Sequence, residues 1–128
     1  MRTKLQALNT SSSLRQVAAL FALCLAAASA AHAMTIREMR ALEKTEKQGS
    51  TYTDYYLVGV MEGAVEAHNQ AVRDGAKPSI CLNGRKLEPH MAKNLYTAEL
   101  KRNADVYEAD FPVQLVLVNA LGTVYPCL

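Results

Sequence analysis

The chain is poor in the residues that usually carry chemistry. It has three histidines and three cysteines in 128 residues. It has no Gly-rich phosphate loop, no G-x-S-x-G elbow and no H-E-x-x-H pair. Internal repeats, low-complexity tracts and domain linkers are also missing. The basic balance of the whole chain is confined to its beginning. Without Arg2, Lys4 and Arg15, the remainder holds 11 basic and 12 acidic residues, interspersed, for a formal charge of −1. Such a balance leaves no electrostatic footprint for nucleic acid and no polybasic patch for a membrane surface.

Residues 1–33 read as a secretory signal peptide. Arg2, Lys4 and Arg15 form a positive region, Val17 to Ala27 an apolar run, and Ala31-His32-Ala33 a small-x-small cleavage site before Met34. A cut after Ala30 is the competing site. An uncleaved anchor is the alternative, because Val17 to Ala33 nearly reaches the length of a thin bilayer. Cys24 lies in the apolar run behind Leu23, where a lipoprotein cysteine needs a small residue, so it leaves with the leader.

The mature portion, 34–128, is 95 residues long, enough for one small domain with one core. Its two thiols, Cys81 and Cys127, are expected to join, because an oxidising compartment favours the bond and a small core needs it. Chain-entropy reasoning for a loop of this length gives about 4 kcal/mol of stabilisation. A redox-active pair would more often sit close in sequence, as in C-x-x-C.

Four helices are expected. The first opens on the capping-box pattern Thr35-Ile36-Arg37-Glu38, carries Ile36, Met39 and Leu42 as its apolar stripe and Glu43–Lys47 as an i,i+4 pair, and stops at Gly49. The second runs from near Thr51 to Asp74, with Thr51 and Asp54 repeating the cap pattern and Gly75 and Pro78 closing it. Gly59, Gly63, Ala67 and Ala71 fall four apart on one face of it. Each interior glycine costs about 1 kcal/mol relative to alanine. Close approach of another helix, within the chain or across a dimer, would recover that cost.

Residues 75–87 form a loop with Pro78 and Asn83-Gly84 as turn signals. The third helix starts near Glu88-Pro89, with Leu87, Met91, Leu95 and Ala98 buried. The fourth is capped by Asp110, holds Pro112 in its first turn, and turns Val113, Val116, Leu117, Ala120, Leu121 and Val124 inward. Leu115 and Val118 add to it, which reads as a central helix buried nearly all round. A strand over 115–118 is the alternative; the apolar pattern outlasts a typical strand. The fold class is therefore all-α, a small four-helix domain stapled by one disulfide.

Candidate sites are few. His68, on the second helix, reads as a solvent-facing or capping histidine, and His90 as a surface residue. Glu62 and Glu66, four apart, read as a solvated face rather than an acid/base pair, since nothing nearby would raise one pKa. No metal or cofactor set is apparent. The tip Asn83, Gly84, Arg85 and Lys86, beside a covalent anchor, is the candidate partner-binding segment.

The segments Tyr56-Leu57-Val58-Gly59-Val60, then Cys81, then Ala120-Leu121 leading into Tyr125-Pro126-Cys127 resemble the Rap/Tai family of periplasmic immunity proteins over about residues 52–127. That family places a proline soon after its first cysteine, where this chain has Leu82-Asn83-Gly84, and more often a Phe where Tyr125 stands. The resemblance implies an all-helical, disulfide-stapled and dimeric domain, without enzymatic activity, that neutralises a peptidoglycan-cleaving amidase delivered by type VI secretion. A periplasmic stress chaperone or envelope accessory protein is the alternative function.

Overall fold

The computed structural model describes residues 16–18 and 32–128. The chain divides into two compact units, Met1–His32 and Ala33–Leu128. In the first, 16–18 are helical and exposed. The signal-peptide reading, with Cys24 and the cut after Ala30, otherwise lies outside the described residues.

The second unit is an all-α domain of four helices with one disulfide: α1 (Ile36–Thr45), α2 (Gly49–Arg73), α3 (Met91–Arg102) and α4 (Val113–Val124). The 25-residue α2 is the hub and touches each of the other three helices, while α3 and α4 pack on one another. Among the described residues, no helix is long and apolar enough to cross a membrane.

The entry to α1 follows its local code. Thr35 Oγ1 accepts from the Glu38 amide at 3.2 Å, and the Glu38 carboxylate accepts from the Thr35 amide at 2.7 Å. Each bond satisfies a backbone donor that the helix cannot pair itself. The same entry is tied to the start of α4. Ile36 N–H donates to the Phe111 carbonyl, Arg37 N–H to that of Ala109, and Val113 N–H to that of Met34. Arg37 also reaches Asp110 with a two-pronged ion pair at 2.8 and 3.1 Å. Asp110 is therefore not the cap of α4. Pro112 holds the N-cap position, and the Asp110 carboxylate serves Arg37 instead.

The junction between α1 and α2 also departs from the local pattern. Gly49 is the first residue of α2 and does not end α1 in a left-handed conformation. It is buried against the last turn of α1, where a Cβ would collide with the Leu42 carbonyl and the Glu43 backbone. Its lack of a side chain permits the sharp reversal. No side chain caps α2, so Thr51 and Asp54 lie inside the helix. Glu43 accepts from the buried Thr53 hydroxyl at 3.0 Å, a tie between helices where the sequence suggested a pair with Lys47. Gly75, at φ 99°, does close α2 in the left-handed region as expected.

The core joins Ile36 and Met39 of α1, Leu57 and Met61 of α2, Leu95 and Tyr96 of α3, and Val113, Val116, Leu117 and Leu121 of α4. Two expectations about burial are corrected. On α3, which begins at Met91 after a turn at 88–90, Ala98 faces solvent, and Ala92, Tyr96 and Glu99 are buried with Leu95. On α4, a helix throughout and not a strand, Leu115 is 45%, Val118 37% and Val124 39% exposed. The helix is thus apolar without being enclosed, and it is α2 that touches all three other helices.

Candidate functional site

The loop between α2 and α3 is built around the Cys81–Cys127 disulfide, whose Cα atoms are 5.0 Å apart. The bond joins the segment after α2 to the tail after α4, across 46 residues of sequence. A main-chain bond runs beside it, from Cys81 N–H to the Tyr125 carbonyl at 2.8 Å. Beyond Cys81 the chain turns sharply at Asn83 (φ 52°) and Gly84 (φ 78°), and Arg85 N–H closes the turn on the Leu82 carbonyl at 3.0 Å. Two successive positive φ values mark a type I′ turn, which suits Asn-Gly better than other residue pairs.

The four predicted tip residues divide by role. All four are exposed at the surface, and Asn83, Gly84 and Lys86 point no side-chain bond back into the loop. Arg85 folds back onto its own loop. Its guanidinium lies 4.5 Å from the centroid of the buried Tyr125 ring and donates to the carbonyls of Leu82 (2.9 Å) and Cys81 (3.2 Å). Stacking holds the face of its planar fork and two hydrogen bonds hold one edge. The tip is thus braced by a covalent bond, a backbone bond and a cation–π contact, all converging on the Tyr125-Pro126-Cys127 tail.

His68 is half-buried and faces the segment that leads into this loop. Its Nε2 lies 3.4 Å from the Ile80 N–H donor and its Nδ1 3.4 Å from Ser79 Oγ. It borders that segment and does not stand free in solvent. His90 is exposed at the N-cap position of α3. Glu66 pairs with Arg73 at 2.7 Å, and Glu62 is exposed. Among the described residues, no group of three or more His, Cys, Asp or Glu is placed to hold a metal ion.

The small-residue face has no partner inside the domain. Gly59, Gly63 and Ala67 are exposed, and a Cβ added at either glycine would meet nothing within 4 Å. Of the two arrangements open to this face, packing inside the domain does not occur at Gly59 or Gly63 among the described residues. Tyr55, 75% exposed, precedes Gly59 by four residues and extends the same open stripe.

Two polar features escaped the sequence reading. Glu99, 2% exposed, receives Tyr107 Oη–H at 2.8 Å, the Asn103 amide at 2.8 Å and Arg102 at 2.9 Å. Asn119 of α4 donates to the same Tyr107 oxygen at 3.0 Å, which links α3, the 103–109 connection and α4. Burial, aided by the bond to Glu99, raises the Tyr107 pKa and keeps the phenol a donor, against the opposing bond from Asn119. Position 99 lies four beyond Leu95 on the buried stripe, which was the available signal. The second feature is a groove of about 510 Å³ between α2 and α3, crossed by an ion pair between Asp54 and Lys93 at 2.8 Å. The hydrogen bond from Lys93 to Asp54 raises the lysine pKa, so its ammonium is charged at neutral pH.

No family model, no curated protein and no solved structure matches this chain.

Proposed function

We propose that the mature domain is a periplasmic immunity protein that binds and inhibits a peptidoglycan-cleaving amidase effector of type VI secretion. The observation that carries this reading is the braced Asn83-Gly84 turn held out by the Cys81–Cys127 anchor. Inhibition by occlusion asks for a rigid projection on a stable scaffold and needs no reactive group. A tip already fixed in one conformation loses little entropy on binding. The order of Tyr56 to Val60, Cys81 and Tyr125-Pro126-Cys127, with the leader-like residues 1–33, supports the same assignment and the periplasm as its compartment. In this reading Asn83, Gly84 and Lys86 contact the enzyme and Arg85 holds them in place. The protein is not itself an enzyme, takes no cofactor or nucleic acid, and leaves the membrane once its leader is cut. The open stripe of Gly59, Gly63 and Ala67 is the surface through which two copies would pair, since bare helix backbone allows the closest approach of a second helix.

One observation favours the alternative of a periplasmic stress chaperone, namely the part-exposed Leu115, Val118 and Val124 on α4. The two readings separate experimentally. A secreted amidase encoded in the adjacent reading frame should bind the purified domain and lose activity, and Asn83→Asp with Lys86→Glu should weaken that binding without unfolding the domain. Absence of binding, with acid-induced opening and suppressed aggregation of unrelated proteins, would replace immunity by chaperoning.

A further inference from the structure

The groove between α2 and α3 presents two opposite charges side by side in a hollow whose walls mix polar side chains with the apolar Val58 and Pro89 and the Tyr55 ring. Asp54 comes from α2 and Lys93 from α3, and both side chains are about half exposed. Asp54 Oδ1 is itself shielded from water, with the Lys93 ammonium against it. Tyr55 and Val58 line the groove from α2, and Pro89 and His90 from the start of α3. Pro89 and His90 place the first turn of α3 at the rim of this hollow, where its first two amides are already paired, Met91 N–H with the Glu88 carbonyl and Ala92 N–H with that of Pro89. The positive end of the helix macrodipole therefore lies on the same side as the Lys93 ammonium. The volume falls within the range of small-ligand sites.

From this arrangement we propose that the groove binds a small zwitterion, an amino acid with an apolar side chain. Its ammonium pairs with the Asp54 carboxylate, its carboxylate with the Lys93 ammonium, and its side chain packs on Tyr55, Val58 and Pro89. The exchange is balanced in charge. A half-exposed ion pair contributes little by itself, so separating it costs little. Each charge then regains an opposite partner on the ligand, so neither is left buried and unpaired. A ligand with one charge engages only one member of the pair and gains only one of the two contacts, which gives the groove its selectivity. The more exposed pairs Arg37–Asp110 and Arg73–Glu66 do not line this groove and do not provide this setting. The inference is independent of the immunity reading, since it uses none of the loop residues.

The test is a titration of the purified oxidised domain followed by backbone amide NMR, with leucine, N-acetylleucine and N-acetylleucinamide as probes. Leucine should shift the amides of residues 54–58 and 90–94 saturably. N-acetylleucine should bind at least about tenfold more weakly, and the uncharged amide weaker still. Asp54→Asn and Lys93→Met, each checked for an unchanged helical spectrum, should each reduce leucine affinity by about tenfold or more. Absence of saturable shifts with leucine, equal shifts with the uncharged amide, or unchanged affinity in both variants overturns the proposal.

Discussion

The Arg85 guanidinium stacks 4.5 Å above the Tyr125 ring, so the loop before α3 and the tail after α4 are clasped by side chains as well as by sulfur. The contact assigns Arg85 a supporting role. Arg85→Ala should speed amide hydrogen exchange at Asn83 and Gly84 by several-fold, with a stability loss of about 0.5–1 kcal/mol in denaturant melts. Arg85→Lys should fall between the two, because lysine keeps the charge and loses the planar fork. Unchanged exchange in Arg85→Ala would show that the disulfide alone orders the turn.

Loss of the cross-link should be the most costly single change. Reduction, or Cys81→Ser with Cys127→Ser, should remove about 4 kcal/mol, out of a stability of about 5–15 kcal/mol for a domain of this size. At about 4–8 °C for each kcal/mol, the melting temperature should fall by more than about 15 °C. Thermal melts by circular dichroism with and without reductant measure this directly.

The glycines of α2 should respond in opposite directions. Gly49→Ala forces a methyl group into the backbone at Leu42 and Glu43, so it should destabilise the domain by about 2 kcal/mol or more. Gly59→Ala and Gly63→Ala enter open space on a regular helix, and each should stabilise an isolated monomer by about 0.5–1 kcal/mol. If two copies pair through this stripe, the same substitutions should weaken the dimer, which sedimentation or light scattering over a concentration series detects.

The exposed Arg37–Asp110 pair gives a pH dependence of known sign. The hydrogen bond from Arg37, and then its charge, hold the Asp110 carboxyl below its ordinary value. A carboxyl with a depressed folded-state pKa contributes stability above its unfolded value of 3.8 and loses that contribution as pH falls through the folded value. In Arg37→Ala the Asp110 titration should move upward, as followed by its side-chain carbonyl resonance, and the acid limb of stability should lose this contribution. An unmoved Asp110 titration would mean that the pair does not form in solution.

What could be read from the sequence was what local chemistry decides. Thr35 and Glu38 cap a helix because both partners lie within one turn, and Gly75 closes α2 because its conformation excludes other residues. Cys81 and Cys127 follow from counting. The misplaced features depend on neighbours distant in sequence. Asp110 is locally a good cap, yet Arg37, 73 residues away, engages it. Gly49 has the composition of a helix stop, but it is the closeness of α1 that requires it. Glu99 sits among apolar residues because Tyr107, Asn103 and Arg102 satisfy its oxygens, a set that no periodicity announces. Within the candidate loop the turn at Asn83-Gly84 is legible from its residues, whereas the contact between Arg85 and Tyr125 depends on a tail distant in sequence.

The backbone bonds joining Met34, Ile36 and Arg37 to residues 109–113 have a kinetic consequence. The entry of the first helix cannot be tied down until the last one is present, so a large closure must precede completion of the core. A ribosome-bound or translocating chain halted before residue 109 would retain α1 and α2 as a loose hairpin, open to proteolysis at its leading end. Completion of the domain is thereby gated by synthesis of residues 109–113.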